Sequence, residues 1–177
     1  MQELDVGTGN YLAGFADGEG CFYIGVHPTA TAALGIQVVP EFHVSQNRER
    51  ISVLQLFQDT LGCGLIKRNA SASAQDQTWV YVVKRHNELN NAVLPLFTKF
   101  PLRSDKQNQF VKFKEVVEKM HRKDHLTVEG VKDILHIAFT MNGSKFRKRT
   151  LAQLLNCLEP SETICQAPAE TELLVKI

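Results

Sequence analysis

From Ile36 to Val44 the chain alternates without a break: Ile36, Val38, Pro40, Phe42 and Val44 fall on one side, Gln37, Val39, Glu41 and His43 on the other. Period-two patterning of this length specifies a β-strand with one buried face and one mostly polar face. Such a strand belongs in an antiparallel sheet cored on one side only, because parallel sheets are buried on both faces. Pro40 has no N–H to give to a ladder, so an edge position or a bulge is expected there. Cys21–Val26 has strand composition, and residues 64–69 and Thr78–Arg85 form a second strand pair around the small-residue loop 70–77.

A helix precedes each pair. The first spans Thr8–Asp17, with Thr8 as N-cap and a halt at Gly18 and Gly20. The second runs from an Asn47 cap to Leu61, with Ile51, Leu54, Phe57 and Leu61 at helical spacing and Gly62 as its stop. A third helix, from Asn87 to Phe100, should kink at Pro95. Ser104 with Gln107 reads as a capping box for a long helix, Thr127 as the cap of the next, and Thr150 with Gln153 as a second box. The order is αββαββα followed by helices. It is an α+β fold whose antiparallel sheet carries helices on one face and leaves the other to water or a partner. Residues 1–158 are expected to form one domain and 159–177 a C-terminal tail.

The net charge of +1 conceals a strong asymmetry: residues 1–47 carry five acids and no Lys or Arg, whereas residues 103–149 carry twelve basic against six acidic side chains. An anionic partner responds to that local field rather than to the sum. No apolar run approaches the ~20 residues of a membrane span, and the opening residues lack the order of a signal peptide. The four cysteines form no C-x-x-C pair, so they read as reduced thiols in an intracellular protein. His121 and His125 stand four apart on a helix, but no Glu and no third ligand accompany them, which argues against zinc.

The chemistry concentrates in Leu12–Gly20, LAGFADGEG. Gly14 and Gly18 share one helix side and permit close approach of another backbone. At the same helix's C-terminal end stand Asp17 and Glu19, where the helix dipole disfavours negative charge. A hard divalent cation such as Mg²⁺ would remove that conflict.

LAGFADGEG followed by a strand resembles the signature of the LAGLIDADG homing endonucleases. The resemblance continues through HVSQ (His43–Gln46), NRER, LGCG (Leu61–Gly64), PLRSDKQ (Pro101–Gln107), LTVEG (Leu126–Gly130) and MNGSKFRKRT (Met141–Thr150), covering roughly residues 10–158. It implies a site-specific, Mg²⁺-dependent endodeoxyribonuclease of intron homing, whose curved sheet lies in the major groove of double-stranded DNA. Mn²⁺ or Ca²⁺ would fit the same site. The chain carries one motif, and single-motif members act as homodimers on long, pseudo-palindromic targets, their signature helices packing through Leu12, Gly14, Phe15 and Gly18. An RNA maturase acting on intron RNA, or a non-catalytic DNA-binding protein, is the alternative on the same scaffold.

By the same resemblance, Glu19 and the Gly18 carbonyl hold the metal, Asp17 orients a neighbouring helix end, Gln46 lies near the cleavage water, and Arg50 joins its solvent network. The family's active-site lysine falls at Ser104; Lys106 is the nearby cation that can replace it, unless the water network works without one. Outward-facing candidates for groove contacts are Tyr23, His27, Gln37, Glu41, His43, Lys67, Asn69 and Lys84, with the parity of the last strand left ambiguous. Lys145, Arg147, Lys148 and Arg149 form a basic loop suited to phosphates.

Overall fold

A computed structural model describes residues 4–69, 77–141 and 149–158. Helix α1 (Val6–Glu19) leads directly into β1 (Gly20–Pro28), which turns back as β2 (Ile36–Asn47). Helix α2 (Ser52–Leu61) precedes the second pair, β3 (Leu65–Arg68) and β4 (Thr78–Val83). Helices α3 (His86–Glu88), α4 (Leu94–Lys99), α5 (Lys106–His121), α6 (Val128–Phe139) and α7 (Leu151–Asn156) follow. The four strands form one antiparallel sheet in the order β1-β2-β4-β3. This is the expected α+β class.

The alternation of β2 explains how the layers stack. Phe42 and Val44 are fully buried, and Phe22 and Ile24 of β1 join them on the same face. Phe42 stacks on Phe22 at 5.2 Å between centroids and meets Phe97 of α4 edge-on. Phe57 of α2 and Tyr81 of β4 close the cluster. Burying aromatic groups of this size supplies the main driving force for the fold. Helices therefore cover one sheet face only.

Several local expectations change. The N-cap of α1 is Asp5, whose carboxylate accepts from the Thr8 N–H at 2.8 Å, so the helix starts before Thr8. It also continues through Gly18 and stops at Glu19. Asn47 makes no side-chain cap bond; a 3₁₀ turn at Arg48–Arg50 intervenes before α2. Gly62 does end α2, at φ 63°, a conformation that costs glycine little. Pro40 lies in an inner strand, yet β4 pairs with β2 only over Phe42–Asn47, so β2 has an open side at Pro40. Pro95 produces a π turn over Leu89–Val93, which widens the helix ahead of the proline ring.

The predicted Ser104–Gln107 box is replaced by two other bonds. Gln107 accepts from the Leu102 N–H at 3.0 Å, and the Ser104 hydroxyl accepts from the Lys106 N–H at 3.1 Å. The Thr150–Gln153 box forms as read, with both reciprocal bonds present. Thr127 caps α6 through the Gly130 N–H. No helix among the described residues is long and apolar enough to cross a membrane.

Candidate nuclease site and nucleic-acid interface

The site begins where α1 runs straight into β1. Asp17, Gly18 and Glu19 occupy the last turn of the helix, whose carbonyls have no intrahelical partners. Lys106, at the start of α5, meets this end: its ammonium donates to the Gly18 carbonyl at 3.2 Å and, at 3.0 Å, to that of Ala16, which also accepts from the Gly20 N–H. A cation at a helix C-terminus also offsets the dipole that Asp17 and Glu19 oppose.

Asp17 and Glu19 have separate fates. The Asp17 carboxylate accepts from the backbone N–H groups of Arg103 and Ser104, each at 2.9 Å, and from the Ser104 hydroxyl. It thus ties the end of α1 to the entrance of α5. Burial pushes its carboxyl up, but the Ser104 hydroxyl, the two N–H donors and the Lys106 charge outweigh it and hold the group below the ordinary carboxylate range. Glu19, two residues on, is exposed. Among the described residues no group of three His, Cys, Asp or Glu is arranged to hold a metal. Within one protomer the available donors at this point are one carboxylate and the Gly18 carbonyl, both hard oxygens that suit Mg²⁺. A carbonyl has two lone pairs, so Gly18 can accept from Lys106 and still ligate.

The lowered Asp17 value fixes a pH dependence. Ionised Asp17 stabilises the fold fully above its unfolded value of about 4, and that contribution is lost as pH falls through the lower native value. Asp17→Asn should therefore lower Tm by about 2–4 °C at pH 7. The gap from wild type should close as the solution is acidified, a trend that thermal melts from pH 7 to pH 3 will read.

Strand register sorts the outward residues. Cys21 pairs with His43, which pairs with Val82; Tyr23 pairs with Glu41; His27 pairs with Gln37. Lys67 pairs with Val80, and Asn69, one residue past β3, donates its N–H to the Thr78 carbonyl. Phe42 opposite Val83 puts Glu41 beside Lys84, and these two form an ion pair at 2.7 Å. The ambiguous parity is thereby resolved: Val80, Val82 and Lys84 face outward, while Tyr81 and Val83 face the core. All eight groove candidates share the uncovered face. Burial holds the His43 imidazole below its ordinary value, with Glu41 opposing and Lys84 assisting that shift, so His43 stands neutral on this face at pH 7.

Gln46 lies at the sheet end where α1 enters β1, opposite Trp79, and its side-chain oxygen accepts from the Asn47 N–H. Its parity places it on the helix side of the sheet. Arg50 is exposed in the adjacent 3₁₀ turn. Arg149 is exposed beside the Thr150 cap; Lys145, Arg147 and Lys148 lie outside the described residues. Of the helix-face candidates, Leu12 is corrected: it is completely buried in its own protomer and unavailable to another. Phe15 is half-buried against Phe57 and Tyr11. The exposed stripe is instead Gly7, Tyr11, Gly14 and Gly18. A Cβ added at Gly14 or Gly18 would meet nothing within 4 Å. Beside this stripe Asn10, Gly14, Asp17, Pro101 and Arg103 line a hollow of about 250 Å³. Sequence reading missed the Glu41–Lys84 pair and the Lys106–Gly18 contact, since both depend on how separate segments are brought together. His86, also unforeseen, packs its ring 5.8 Å from that of His121.

Residues 12–117 match the family model described as LAGLIDADG endonuclease. The chain belongs to the LAGLIDADG endonuclease family. This LAGLIDADG chain is 28% identical over 131 residues to probable intron-encoded endonuclease 2 of Neurospora crassa, covering 74% of itself and 26% of that protein. It spans about a quarter of the length of the first curated relatives it matches. Among solved structures, the homing endonuclease I-TnaI superposes with a TM-score of 0.72 at 34% identity, over 89% of this chain and 97% of that one. The archaeal intron-encoded homing endonuclease I-Vdi141I, complexed with DNA, superposes with a TM-score of 0.76 at 27% identity, over 85% and 93%. The LAGLIDADG segment LAGFADGEG supplies the end of α1 and the first residue of β1, the junction that brings Glu19 and the Gly18 carbonyl together.

Proposed function

We propose that the chain is a site-specific endonuclease of double-stranded DNA that works as a homodimer with Mg²⁺. The observation that carries this reading is the exposed Glu19 at the tip of α1, beside a glycine-faced stripe that the protomer itself leaves uncovered. One chain offers a single carboxylate at this point. Two copies packed through Gly7, Tyr11, Gly14 and Gly18 would bring two Glu19 tips together.

Hydrolysis adds a water oxygen to phosphorus and breaks the opposite P–O ester bond, the departing oxygen gaining a proton. When bound, Mg²⁺ would supply charge stabilisation at the phosphate and acidify water. Glu19 and the Gly18 carbonyl would hold it. Lys106 would fix that carbonyl and place a positive charge near the developing negative charge. Gln46 and Arg50 would order water at the sheet end. Asp17 would keep the two helix ends in register, a positioning role. Across the uncovered face, Gln37 can match adenine edges, and Lys67 and Lys84 can match guanine. Arg149, with the neighbouring basic residues Lys145, Arg147 and Lys148 of the sequence, would contact phosphates. The I-Vdi141I complex with DNA and the intron-encoded relatives support the substrate class.

The deciding experiment is incubation with a randomised duplex library, with and without Mg²⁺, followed by sequencing of cut ends. A single enriched, roughly two-fold-symmetric site cut only with metal is expected. Uncut DNA together with tight binding of the host intron RNA would instead identify a maturase.

A further inference from the structure

Away from the uncovered face, the end of the sheet carries a second basic feature. Gln46 pairs with Trp79, and Trp79 with Arg68, forming one cross-strand row on the helix side of β2, β4 and β3. Just past β2, the Arg48 N–H donates to the Gln77 carbonyl at 3.0 Å, which pins the departing chain to the start of β4. Arg48, Arg68, Gln77 and Trp79 then line a hollow of about 290 Å³. Two arginines twenty positions apart in sequence line it, and among the described residues no carboxylate does.

Guanidinium is a planar fork suited to phosphate, and backbone phosphates are the usual target of arginines that position rather than read DNA. The indole of Trp79 provides an apolar wall for a sugar, and the Gln77 amide adds a donor. We infer that this hollow binds one backbone phosphate of the DNA duplex, with its deoxyribose against Trp79. The inference rests on the proposal that the chain binds duplex DNA, and extends it to a contact outside the base-reading face. Neighbouring strands lie about 4.8 Å apart, so Arg68 stands roughly 10 Å across the sheet from Gln46. That is the axial rise of about three nucleotides. A clamp there would hold the strand that flanks the cut without reading its sequence.

The test uses the full chain with Arg48→Gln and Arg68→Gln combined, and a second variant with lysine at both positions. Binding is measured by fluorescence anisotropy on a 30-base-pair duplex of random sequence and on the selected target duplex, from 50 to 200 mM salt. Each phosphate contact contributes about 0.9 to the slope of log K against log salt. The glutamine variant should therefore lose about 0.9 from the slope and bind both duplexes about tenfold more weakly at 100 mM salt. The lysine variant should retain the slope, and the melting temperatures of all three proteins should coincide. An unchanged slope in the glutamine variant overturns the inference, as does a loss confined to the target duplex, which would signify a base contact. If wild-type protein binds neither duplex, the DNA reading itself fails; if it binds normally and the variant matches it, only the assignment of this hollow fails.

Discussion

Glu19→Gln should abolish cleavage, with a fall in rate on the order of 10³-fold or more, while the target duplex is still bound within about threefold of wild type. The glutamine keeps the length and polarity of the side chain but removes the charge that would hold a cation. Because Glu19 is exposed at the C-terminal end of α1, its charge opposes the helix dipole and contributes nothing favourable to the fold. Tm should therefore stay level or rise slightly. Asp17→Asn is the opposite case: it removes an acceptor of three hydrogen bonds across two helix ends and should cost stability. Two acids within three residues thus separate by measurement, one through turnover and the other through melting. A Glu19→Gln protein that cuts at the wild-type rate would remove the acid from any metal role. One that loses DNA binding in parallel would show a contact role instead.

The sheet was the most legible part of the chain, because a period of two admits one backbone conformation and one buried side. Ile36, Val38, Phe42 and Val44 are buried as their alternation requires, and Gln37 and Lys84 are exposed. Helix stops governed by a single residue, such as Gly62, and caps governed by a local pair, such as Thr150 with Gln153, were also readable. What escaped was everything set by separation in sequence. The partner of Asp17 lies 86 to 87 positions away, that of Glu41 lies 43 away, and that of Lys106 lies 88 to 90 away. Ser104 and Gln107 misled for the same reason: Ser104 is engaged by Asp17, a residue from another element, so the local box does not close. Leu12 sits within the signature, but its side of α1 was set by the core rather than by the glycine spacing. The Arg48–Arg68 hollow needs the register of β3 on β4, which no local pattern encodes.

Gly14→Leu should convert the proposed homodimer to 19.9 kDa monomers and eliminate cleavage, without unfolding the protomer. Glycine inside a helix costs about 1 kcal/mol relative to alanine, so the two at positions 14 and 18 are a liability unless something needs their bare backbone. Among the described residues nothing does, since an added Cβ at either position meets no atom within 4 Å. Gly9 in the same helix behaves differently: a Cβ there would strike the Phe100 ring at 2.3 Å, so intramolecular packing accounts for it. The proposed two-fold contact is what would need a bare backbone at Gly14 and Gly18. Inserting a large side chain into a packed contact costs typically 1–3 kcal/mol, and symmetry imposes it from both copies. The dissociation constant of the dimer should rise by at least about 30-fold. Sedimentation should report the mass change while the circular dichroism spectrum at 25 °C stays that of the folded protomer, because leucine is the better helix former. A Gly14→Leu protein that remains dimeric and active would place the two-fold contact elsewhere on the molecule and leave the paired Glu19 tips without a means of meeting.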